Sequence, residues 1–474
     1  MIVDRPYFCL ARVTLEALSA HGIHSGQGDT THDVLLVRDA NGLPALPGSS
    51  LAGVLRHAYR EQYGAASAGR LFGHVGEQAQ PSWLSVGWGL VHDARNQPVE
   101  GLQPDLDDDP LLSLLQVSKP LVRQRVRLEH TGAASDTGKF DVTLIPAGVR
   151  YTTWLGYWCD GSEESLAHWQ HLLALLNRQH LLLGHGTRSG NGHFHVIQVA
   201  HARWDLRTAE GRQAYAQRPR SRRERQGLED LPLSPADTGL QVTLRLKAEA
   251  GWRIGGGERS LNPHEKAPML LPQHELCVQW RNDQVVLKQH GQDHPEYHLL
   301  PGSAIKGAMR HRVAYHYRCL TGDFAGQGGH PAPEYCPAVT QLFGQADDDN
   351  AQAGLLLFHD LRVDRAEYAV LMHNRIDRFT GGVIKGALFS EEVLWQTPLT
   401  LRIDLLHPER LAELDANTRK ALQLTLEDLA NGWLPLGAGG SRGLGVFSDP
   451  SGEGPQWSDA GRWITGAPAM EVDA

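Results

Sequence analysis

The pattern of apolar and polar residues predicts the same kinds of elements twice along the chain. Residues 7–20 (YFCLARVTLEALSA) alternate closely enough for an opening strand, and residues 240–251 (LQVTLRLKAEAG) repeat that pattern. Leucines at helical spacing occur at residues 162–182 and again at residues 417–430. A further strand is predicted at residues 33–38 (DVLLVR). Each half therefore contains the elements of a mixed α and β domain.

Recurring motifs indicate that the two halves are copies of one domain. LPGSSLAGVLR at residues 46–56 returns 254 residues later as LPGSAIKGAMR at residues 300–310. GTRSGNGHF at residues 186–194 is answered by GSRGLGVF at residues 440–447, with the same offset between their arginines. A Leu-Phe-Gly sequence and a strand ending in His-Asp also recur. Motifs that share one order and one spacing are typical of a duplicated domain.

Polar segments set the predicted domain boundaries. The first domain covers residues 1–202, and a polar linker at residues 203–239 contains the basic run RPRSRRER. The second domain covers residues 240–448, and residues 449–474 form a tail rich in Gly, Pro and acidic residues. The order strand, helix, strands, arm, helix, strand predicts the α+β class of the split βαβ kind, with helices on one face of an antiparallel sheet.

Each domain also carries a predicted arm. The arms are RLEHTGAASDTGKFDVTLIPAG at residues 127–148 and RIDRFTGGVIKGALFSEEVL at residues 375–394. Both are small, polar and glycine-rich in the middle, with aliphatic residues at the flanks. This pattern predicts a hairpin-like excursion that leaves the core.

The composition excludes several classes of protein. Charged residues make up 21% and apolar residues 41%, a balance typical of a soluble globular protein. No apolar tract approaches the ~18 residues of a membrane span, and the N-terminus has no export signal. The five cysteines are scattered, which argues against a disulfide framework and predicts a cytoplasmic location. The net charge of −9 argues against indiscriminate nucleic-acid binding, so an RNA partner requires local positive charge.

The two LPGS segments are candidate binding sites for an anion. A Pro-Gly pair precedes a helical pattern in each, so Ser49 and Ser303 are predicted N-terminal caps. Unpaired N–H groups at a helix start, aided by the helix dipole, attract anions. Lys306 and Arg310 lie four residues apart on one helix face, where both can reach one backbone phosphate. The alternative is an ordinary cap with solvated basic residues.

The two glycine-rich loops are candidate sites of a second kind. Glycine lets the backbone approach a ligand closely, and Arg188 or Arg442 supplies positive charge within the loop. The alternative is a tight turn with no ligand. The glycines concerned are Gly186, Gly190, Gly192, Gly440, Gly443 and Gly445.

The order of these motifs resembles the RAMP superfamily of CRISPR-associated proteins, in particular the backbone subunits of type III effector complexes. The resemblance rests on GIHSGQGD at residues 22–29, the strand after Asp33, GLPALPGSSLAGVLR, LFG, the arm and the glycine-rich loop. It covers nearly the whole chain twice, so the chain resembles a fusion of two such subunits. The second half keeps LPGSAIKGAMR, LFG, RIDRFTGG and GSRGLG but departs from the pattern before its LPGSA motif.

The resemblance implies an RNA-recognition-like core that grips the backbone of a guide RNA, with the arm as a thumb in the guide–target duplex. Base pairing reads the sequence, so the protein needs only local backbone contacts. The implied partners are guide RNA, target RNA and other subunits of a type III complex, with no membrane. The implied RNA-binding residues are Ser49, Ser50, Arg56, Arg188, Ser303, Lys306, Arg310, Arg442 and the glycines named above, and the thumb residues are Arg127, His130, Arg375 and Arg378.

The resemblance also implies a catalytic aspartate. In backbone subunits that cut target RNA, this residue lies between the glycine turn and the LPGSS motif, six residues before a second acid, as Asp33 and Asp39 do. Such a carboxylate could hold a divalent metal, Mg²⁺ or Mn²⁺, or orient the 2′-hydroxyl for attack on the adjacent phosphate. Asp283 and Glu265 are the candidates in the second half, although WRNDQ around Asp283 reads equally well as a hairpin turn.

An insertion in the second half carries the ligand types of a structural zinc site. The residues are His316, Cys319, His330 and Cys336. The His-x-x-Cys spacing suits zinc and the later His-x5-Cys pair is looser, while chance proximity is the alternative in a chain with 25 histidines. Some members of the family hold this insertion together with zinc.

Four functions follow as hypotheses from these residues. The leading one is a guide-loaded RNA endonuclease subunit that binds guide RNA with both domains and cuts target RNA with the first. The second is a structural backbone subunit that binds but does not cut. The third is a guide-processing endonuclease of the same superfamily, and the fourth is a duplicated ferredoxin-like protein for a small anion.

Overall fold

The computed structural model describes residues 4–24, 35–76, 79–129, 132–177, 181–234, 239–262, 265–287, 296–323, 336–345, 351–363 and 366–465. The elements of the first half are β1 (Tyr7–Ala17), β2 (Ala45–Leu46), α1 (Gly48–Phe72), β3 (Leu84–Val86), β4 (Gly89–Val91), α2 (Pro110–Gln116), β5 (Leu121–Leu128), β6 (Ala134–Leu144), β7 (Arg150–Cys159), α3 (Glu163–Leu175), β8 (Leu181–Leu182), β9 (His193–Asp205), α4 (Ala209–Ala216) and β10 (Glu229–Asp230).

The elements of the second half are β11 (Leu240–Ala248), β12 (Gly251–Trp252), β13 (Gly255–Asn262), β14 (Glu265–Pro272), β15 (His274–Leu276), β16 (Gln279–Arg281), β17 (Gln284–Val286), β18 (Glu296–Leu300), α5 (Gly302–Thr321), α6 (Pro337–Phe343), β19 (Gly344–Gln345), β20 (Gln352–Ala353), β21 (Leu356–Phe358), β22 (Leu361–Val363), β23 (Glu367–His373), β24 (Phe389–Trp395), β25 (Pro398–Leu405), α7 (Ala416–Ala430), β26 (Phe447–Ser448), β27 (Gln456–Trp457) and α8 (Ala460–Thr465). Short 3-10 helices also occur at Pro408–Glu413 and Gly440–Arg442.

The first domain is built on one antiparallel sheet. Its strand order is β10-β9-β1-β7-β4-β2, so the predicted opening strand β1 lies near the centre. Helices α1 and α3 pack together, and Leu55 and Leu172 share a core with sheet residues such as Tyr151. Residues 33 and 34 lie outside the described residues, and the described part of that predicted strand forms only isolated bridges at Leu36 and Arg38.

The segment predicted as a linker covers the other face of this sheet. Tyr215 of α4 packs edge-on against Phe8 at 5.5 Å, and Arg12 Nε donates a 2.5 Å hydrogen bond to the carbonyl of Arg222. Strand β9 continues through Asp205, so the predicted boundary at residue 203 falls inside a strand. Because both faces are covered, β1 is buried along almost its whole length.

The second domain divides its strands between two main sheets. Strand β11 pairs with β25, β26 and β27, whereas β24 pairs with β12, β14 and β23. Helices α5, α6 and α7 pack together, and Ile305 and Leu426 share a core with Leu244 of β11. The prediction of two α+β domains built on antiparallel strands is therefore confirmed.

Both predicted arms are β-hairpins. Strands β5 and β6 form a sheet of their own, which leaves Val126 and Phe140 exposed. Strands β23 and β24 pair from Glu367 and Trp395 to His373 and Phe389 and are joined by the exposed residues 374–388. Apolar side chains that remain in water on a hairpin mark a surface available for contacts.

One hairpin of the second half packs on the first domain. Val278 N donates to the carbonyl of Ala147 at 2.8 Å, and Trp280 Nε1 donates to that of Gly148 at 2.7 Å. Val278 is 3% exposed and belongs to the core of the first domain. The hairpin β16–β17 therefore fills part of the core of the other half.

Helices α1 and α5 begin in the same way, but not at their serines. Pro47 and Pro301 occupy the N-cap positions, and neither proline has a side chain that can cap its helix. The prediction that Ser49 and Ser303 cap these helices is wrong, because each serine is already the second residue of its helix. Each proline carbonyl instead accepts N–H groups from the first helical turn, those of Ser50 and Leu51 in α1 and those of Ala304 and Ile305 in α5. Among the helices described, none is both long and apolar enough to cross a bilayer.

Candidate nucleic-acid interface

The two domains meet where the glycine loop of the first lies against the start of α5 in the second. Ser189 forms a parallel bridge with Phe358, and Arg188 Nη1 donates to the carbonyl of Gly354. A Cβ atom at Gly302 would lie 3.1 Å from the backbone of Gly190. The two predicted anion-binding motifs therefore adjoin each other across the domain boundary, and we call this contact the seam.

The seam requires glycine at one position in particular. Gly190 has a φ of 96°, and a Cβ atom there would lie 2.1 Å from Oδ1 of Asp360. Gly186 and Gly192 also have positive φ values, of 70° and 66°. L side chains rarely adopt this conformation, so the loop takes its shape from its glycines. This close backbone approach is what the glycine-rich motif provides.

A buried ionic network ties the seam together. Arg123 of β5, which is 4% exposed, donates to Glu275 Oε1 at 2.5 Å, to Asp360 Oδ2 at 2.6 Å and to Asn191 Oδ1 at 2.8 Å. Asp360 Oδ1 accepts the N–H of Gly302 at 2.8 Å, which is the first N–H of α5. Burial lowers the pKa of Arg123, but Asp360 and Glu275 outweigh burial and raise it. The guanidinium is therefore charged and fixes both carboxylates.

Basic side chains from both domains converge beside this network. Burial, together with the nearby Arg188 and Arg310, lowers the pKa of Lys306 to about 8. Burial also lowers the pKa of Arg188, as does Arg410, whereas Glu61 raises it. Cations that lower one another's pKa are close in space, and a bound anion relieves their repulsion. The seam can therefore hold a phosphate of an RNA backbone.

Alternating arginines run from the buried network of the seam to the exposed part of the first arm. Arg123, Arg125 and Arg127 are two residues apart on β5 and so lie on one face of the strand. Nε and Nη2 of Arg125 are buried and have no hydrogen-bond partner among the described residues, and burial lowers the pKa of this group. Sequence reasoning missed Arg123 and Arg125, although the R-x-R-x-R pattern at residues 123–127 could have indicated arginines on one face of a strand.

The start of helix α1 in the first domain opens into a cavity. The cavity has a volume of about 430 Å³. It is lined by Gly48, Ser49, Ala52, Gly53, Arg56, Phe72, Ser82, Leu84 and Val86. The predicted RNA-binding residues Ser49 and Arg56 are exposed here, and Ser50 is partly buried next to them.

The glycine loop of the second domain holds its arginine differently. Arg442 ends a 3-10 helix and is 46% exposed, with Nη2 3.4 Å from Glu391 Oε1. Gly440 precedes it, while Gly443 and Gly445 follow with φ values of 82° and 68°. Arg442 therefore combines a partner in its own domain with access to solvent.

The second arm ends in an ordered tip. The carboxylate of Asp377 accepts hydrogen bonds from the N–H groups of Phe379 and Thr380, which lower its pKa. Phe379 is 98% exposed, and the predicted thumb residues Arg375 and Arg378 are exposed beside it. In the first arm, Arg127 is exposed and His130 lies outside the described residues. An exposed aromatic ring close in sequence to exposed arginines suits contact with nucleic acid.

A comparison with family models decides the classification. The model of the RAMP superfamily matches residues 14–195 and residues 245–448, one match in each half. The chain belongs to the RAMP superfamily. RAMP proteins are CRISPR-associated, bind RNA and work in complexes of several subunits. None of the curated proteins compared matches this chain.

The catalytic candidates of the two RAMP domains differ in what surrounds them. Asp33 lies outside the described residues, while Asp39 Oδ1 accepts the N–H groups of Asn41 and Leu43 at 2.8 and 2.9 Å in a tight turn. Asp283 lies at the tip of the β16–β17 hairpin and has a φ of 58°. Its backbone therefore forms the hairpin turn that WRNDQ predicted as one of two interpretations. Glu265 begins β14, and its side chain lies outside the described residues.

The predicted zinc ligands of the second RAMP domain are only partly described. His316 Nε2 lies 2.8 Å from Asp428 Oδ2, Cys319 is exposed, and Cys336 is buried at the residue before α6. The ligand atoms of these three residues do not gather within reach of one ion, and His330 lies outside the described residues. The described residues therefore do not form the site by themselves.

Proposed function

We propose that this RAMP protein is a subunit of a type III CRISPR effector complex whose seam holds the backbone of a guide RNA. The supporting observation is the convergence of Arg188, Lys306 and Arg310 where the glycine loop of one domain meets α5 of the other. These cations are local, which reconciles RNA binding with a net charge of −9. Contacts to phosphates carry no sequence information, so base pairing is left to select the target.

The seam also suggests how neighbouring subunits dock. The glycine loop of the first domain covers the start of α5, whereas the start of α1 is open and the Gly440–Arg442 loop keeps its arginine partly exposed. A head-to-tail contact that repeats builds a row of subunits. Other RAMP subunits would thus contact the open start of α1 and the second glycine loop. Each such contact would add basic side chains next to those of the seam.

The arms supply a second contact with nucleic acid. Phe379 is 98% exposed and directly follows the exposed Arg378, and Val126 and Phe140 are exposed on the first arm. Apolar side chains that leave the core can wedge between stacked bases, while arginines contact the flanking phosphates. The arms would thus act as thumbs in the duplex of guide and target.

The RNA-binding proposal is tested by reversing charge at the seam. Lys306→Glu combined with Arg310→Glu should lower the affinity for single-stranded RNA at least about 100-fold at moderate salt, because each lost phosphate contact also loses counterion release. The matched control is Lys420→Glu on the exposed face of α7. Gel-shift titrations at several salt concentrations measure both. Equal affinities of the two variants would reject the seam as the binding surface.

Target cleavage is proposed for the first domain, through Asp33 with Mg²⁺ or Mn²⁺. Asp33→Asn in a reconstituted, guide-loaded complex should slow cutting at the facing target position at least about 100-fold. Asp230→Asn is the control, because Asp230 lies on the exposed strand β10, is not among the catalytic candidates and should not affect cutting. Chelation of divalent ions should have the same effect as Asp33→Asn. If Asp33→Asn cut target RNA at an unchanged rate, the cleavage proposal would be rejected, and the chain would be a backbone subunit that binds RNA without cleaving it.

A further inference from the structure

Three metal-binding side chains from the two domains meet close to the seam. His57 and Glu61 lie four residues apart on one face of α1, and His407 follows β25 of the second domain. Glu61 Oε1 is 3.0 Å from His57 Nε2 and 3.3 Å from His407 Nδ1. All three ligand atoms lie within 4.8 Å of one another. No other part of the described chain brings three such groups together.

The spacing matches the coordination sphere of a small transition metal. Ligand atoms bound to tetrahedral zinc at about 2.0–2.1 Å are about 3.4 Å apart, and the two measured separations are 3.0 and 3.3 Å. Two imidazoles and one carboxylate favour zinc, cobalt or nickel over magnesium and calcium, which prefer oxygen ligands. Glu409 Oε1, 3.5 Å from His407 Nδ1, or a water would complete four ligands.

The backbone around His407 holds its ring in place. His407 has a φ of 61°, an unusual conformation for a residue other than glycine, and Pro408 begins the following 3-10 helix. Its side chain is 21% exposed, so the ring is partly fixed by its surroundings. Arg60 Nη2 is 3.3 Å from His57 Nδ1 and must move aside when a metal takes Nε2, which is possible because Arg60 is exposed.

We propose that His57, Glu61 and His407 bind one divalent transition metal, best fitted by zinc, which fastens helix α1 of the first domain to the second domain. The site is separate from the predicted zinc insertion and from the candidate catalytic aspartate. A metal that binds only the assembled pair of domains stabilises that assembly.

The proposal is tested with the purified full-length chain after chelator treatment and dialysis. Titration with Co²⁺, followed by visible absorption, and with Zn²⁺, followed by calorimetry, should each reveal one equivalent at this site. His407→Ala and Glu61→Gln should each weaken metal affinity at least about tenfold, because each variant removes a side chain that binds the metal directly, and losing even a residue that only orients a ligand costs about that much. Zn²⁺ should raise the melting temperature of the unmodified chain and not that of His407→Ala.

Two controls separate this site from other sources of metal binding. His74→Ala removes an exposed histidine outside the cluster and should bind metal like the unmodified chain. Cys319→Ser disables the predicted insertion site. Metal binding that persists in Cys319→Ser and is lost in His407→Ala therefore belongs to the site formed by His57, Glu61 and His407. The proposal would be overturned if metal binding were lost in Cys319→Ser and kept in His407→Ala. It would also be overturned if the unmodified chain bound no metal, and the three side chains would then form only a hydrogen-bonded group.

Discussion

The two LPGS helix starts have almost the same sequence but opposite surroundings. At α5, the N–H of Gly302 donates to Asp360 at 2.8 Å, and the backbone of Gly190 from the other domain lies against it. At α1, Gly48 packs against Val86 of its own domain, and the adjoining cavity of about 430 Å³ is open. One copy of the motif is therefore docked and the other is exposed.

The difference shows that a neighbouring domain, rather than the motif, decides what a helix start does. The His-Asp pair is also duplicated, but Asp93 accepts the N–H groups of Arg95 and Gln97 in its own turn. Asp360 caps α5 while held by Arg123, which comes from the first domain. A repeated sequence thus acquires two roles because only one copy meets an arginine from the other half.

The largest effect is expected from removing Arg123. Arg123→Ala leaves Glu275 and Asp360 buried without their cation, which should cost about 3–5 kcal/mol of unfolding free energy. Urea unfolding followed by tryptophan fluorescence measures the loss. Arg225→Ala removes an arginine that pairs with Asp230 in solvent and should cost at most about 1 kcal/mol. A loss below that of the control would show that the network does not hold the docked helix start.

Gly190→Ala should have the next largest effect. The positive φ costs about 1–2 kcal/mol for an L residue, and the new methyl group would collide with Asp360. We expect a total loss of about 3 kcal/mol in the same unfolding measurement. The matched control is Gly443→Ala, with a φ of 82° and open space around its Cβ position. Equal losses would mean that strain alone matters and that the loop does not pack on Asp360.

The pH dependence of RNA binding tests the docked copy more finely. Lys306 has a lowered pKa of about 8 in the free protein, so it must gain a proton to bind a phosphate at higher pH. RNA affinity should fall about tenfold between pH 7 and pH 9. The lowered pKa of Lys306 also decreases the free energy of unfolding, because the folded protein binds this proton less tightly than the unfolded chain does. The decrease is complete below pH 8 and disappears as the pH rises toward 10.5. Lys306→Arg keeps its charge and should flatten the binding profile, whereas a persistent slope would assign it to another group.

The smallest effect concerns the serines of the motif. Ser49→Ala and Ser303→Ala should each change the unfolding free energy by less than about 0.5 kcal/mol, because neither side chain caps its helix. Ser162→Ala is the control, since Ser162 Oγ accepts the N–H of Ser165 at 3.2 Å and its loss should cost about 1 kcal/mol. A large loss at Ser49 would restore the capping interpretation of the exposed copy.

Local patterns predicted the elements better than their contacts. The alternating pattern predicted the strands that are observed at residues 7–17 and 240–248. The leucine spacing predicted the helix at residues 416–430. The docking of the first glycine loop on α5 was not predictable, because a repeat shows which segments are equivalent and not which copies touch. Arg123 was missed for the same reason, since its partners Glu275 and Asp360 are more than 150 residues away.

The hairpin that crosses from the second half has a practical consequence for engineering. Val278 contributes to the apolar interior of the opposite domain, and Trp280 bonds the backbone of Gly148. A fragment that ends before this hairpin would expose apolar surface that the intact chain keeps from water. The halves are therefore not interchangeable modules, and a chimera or truncation would need to carry the hairpin together with the domain that receives it.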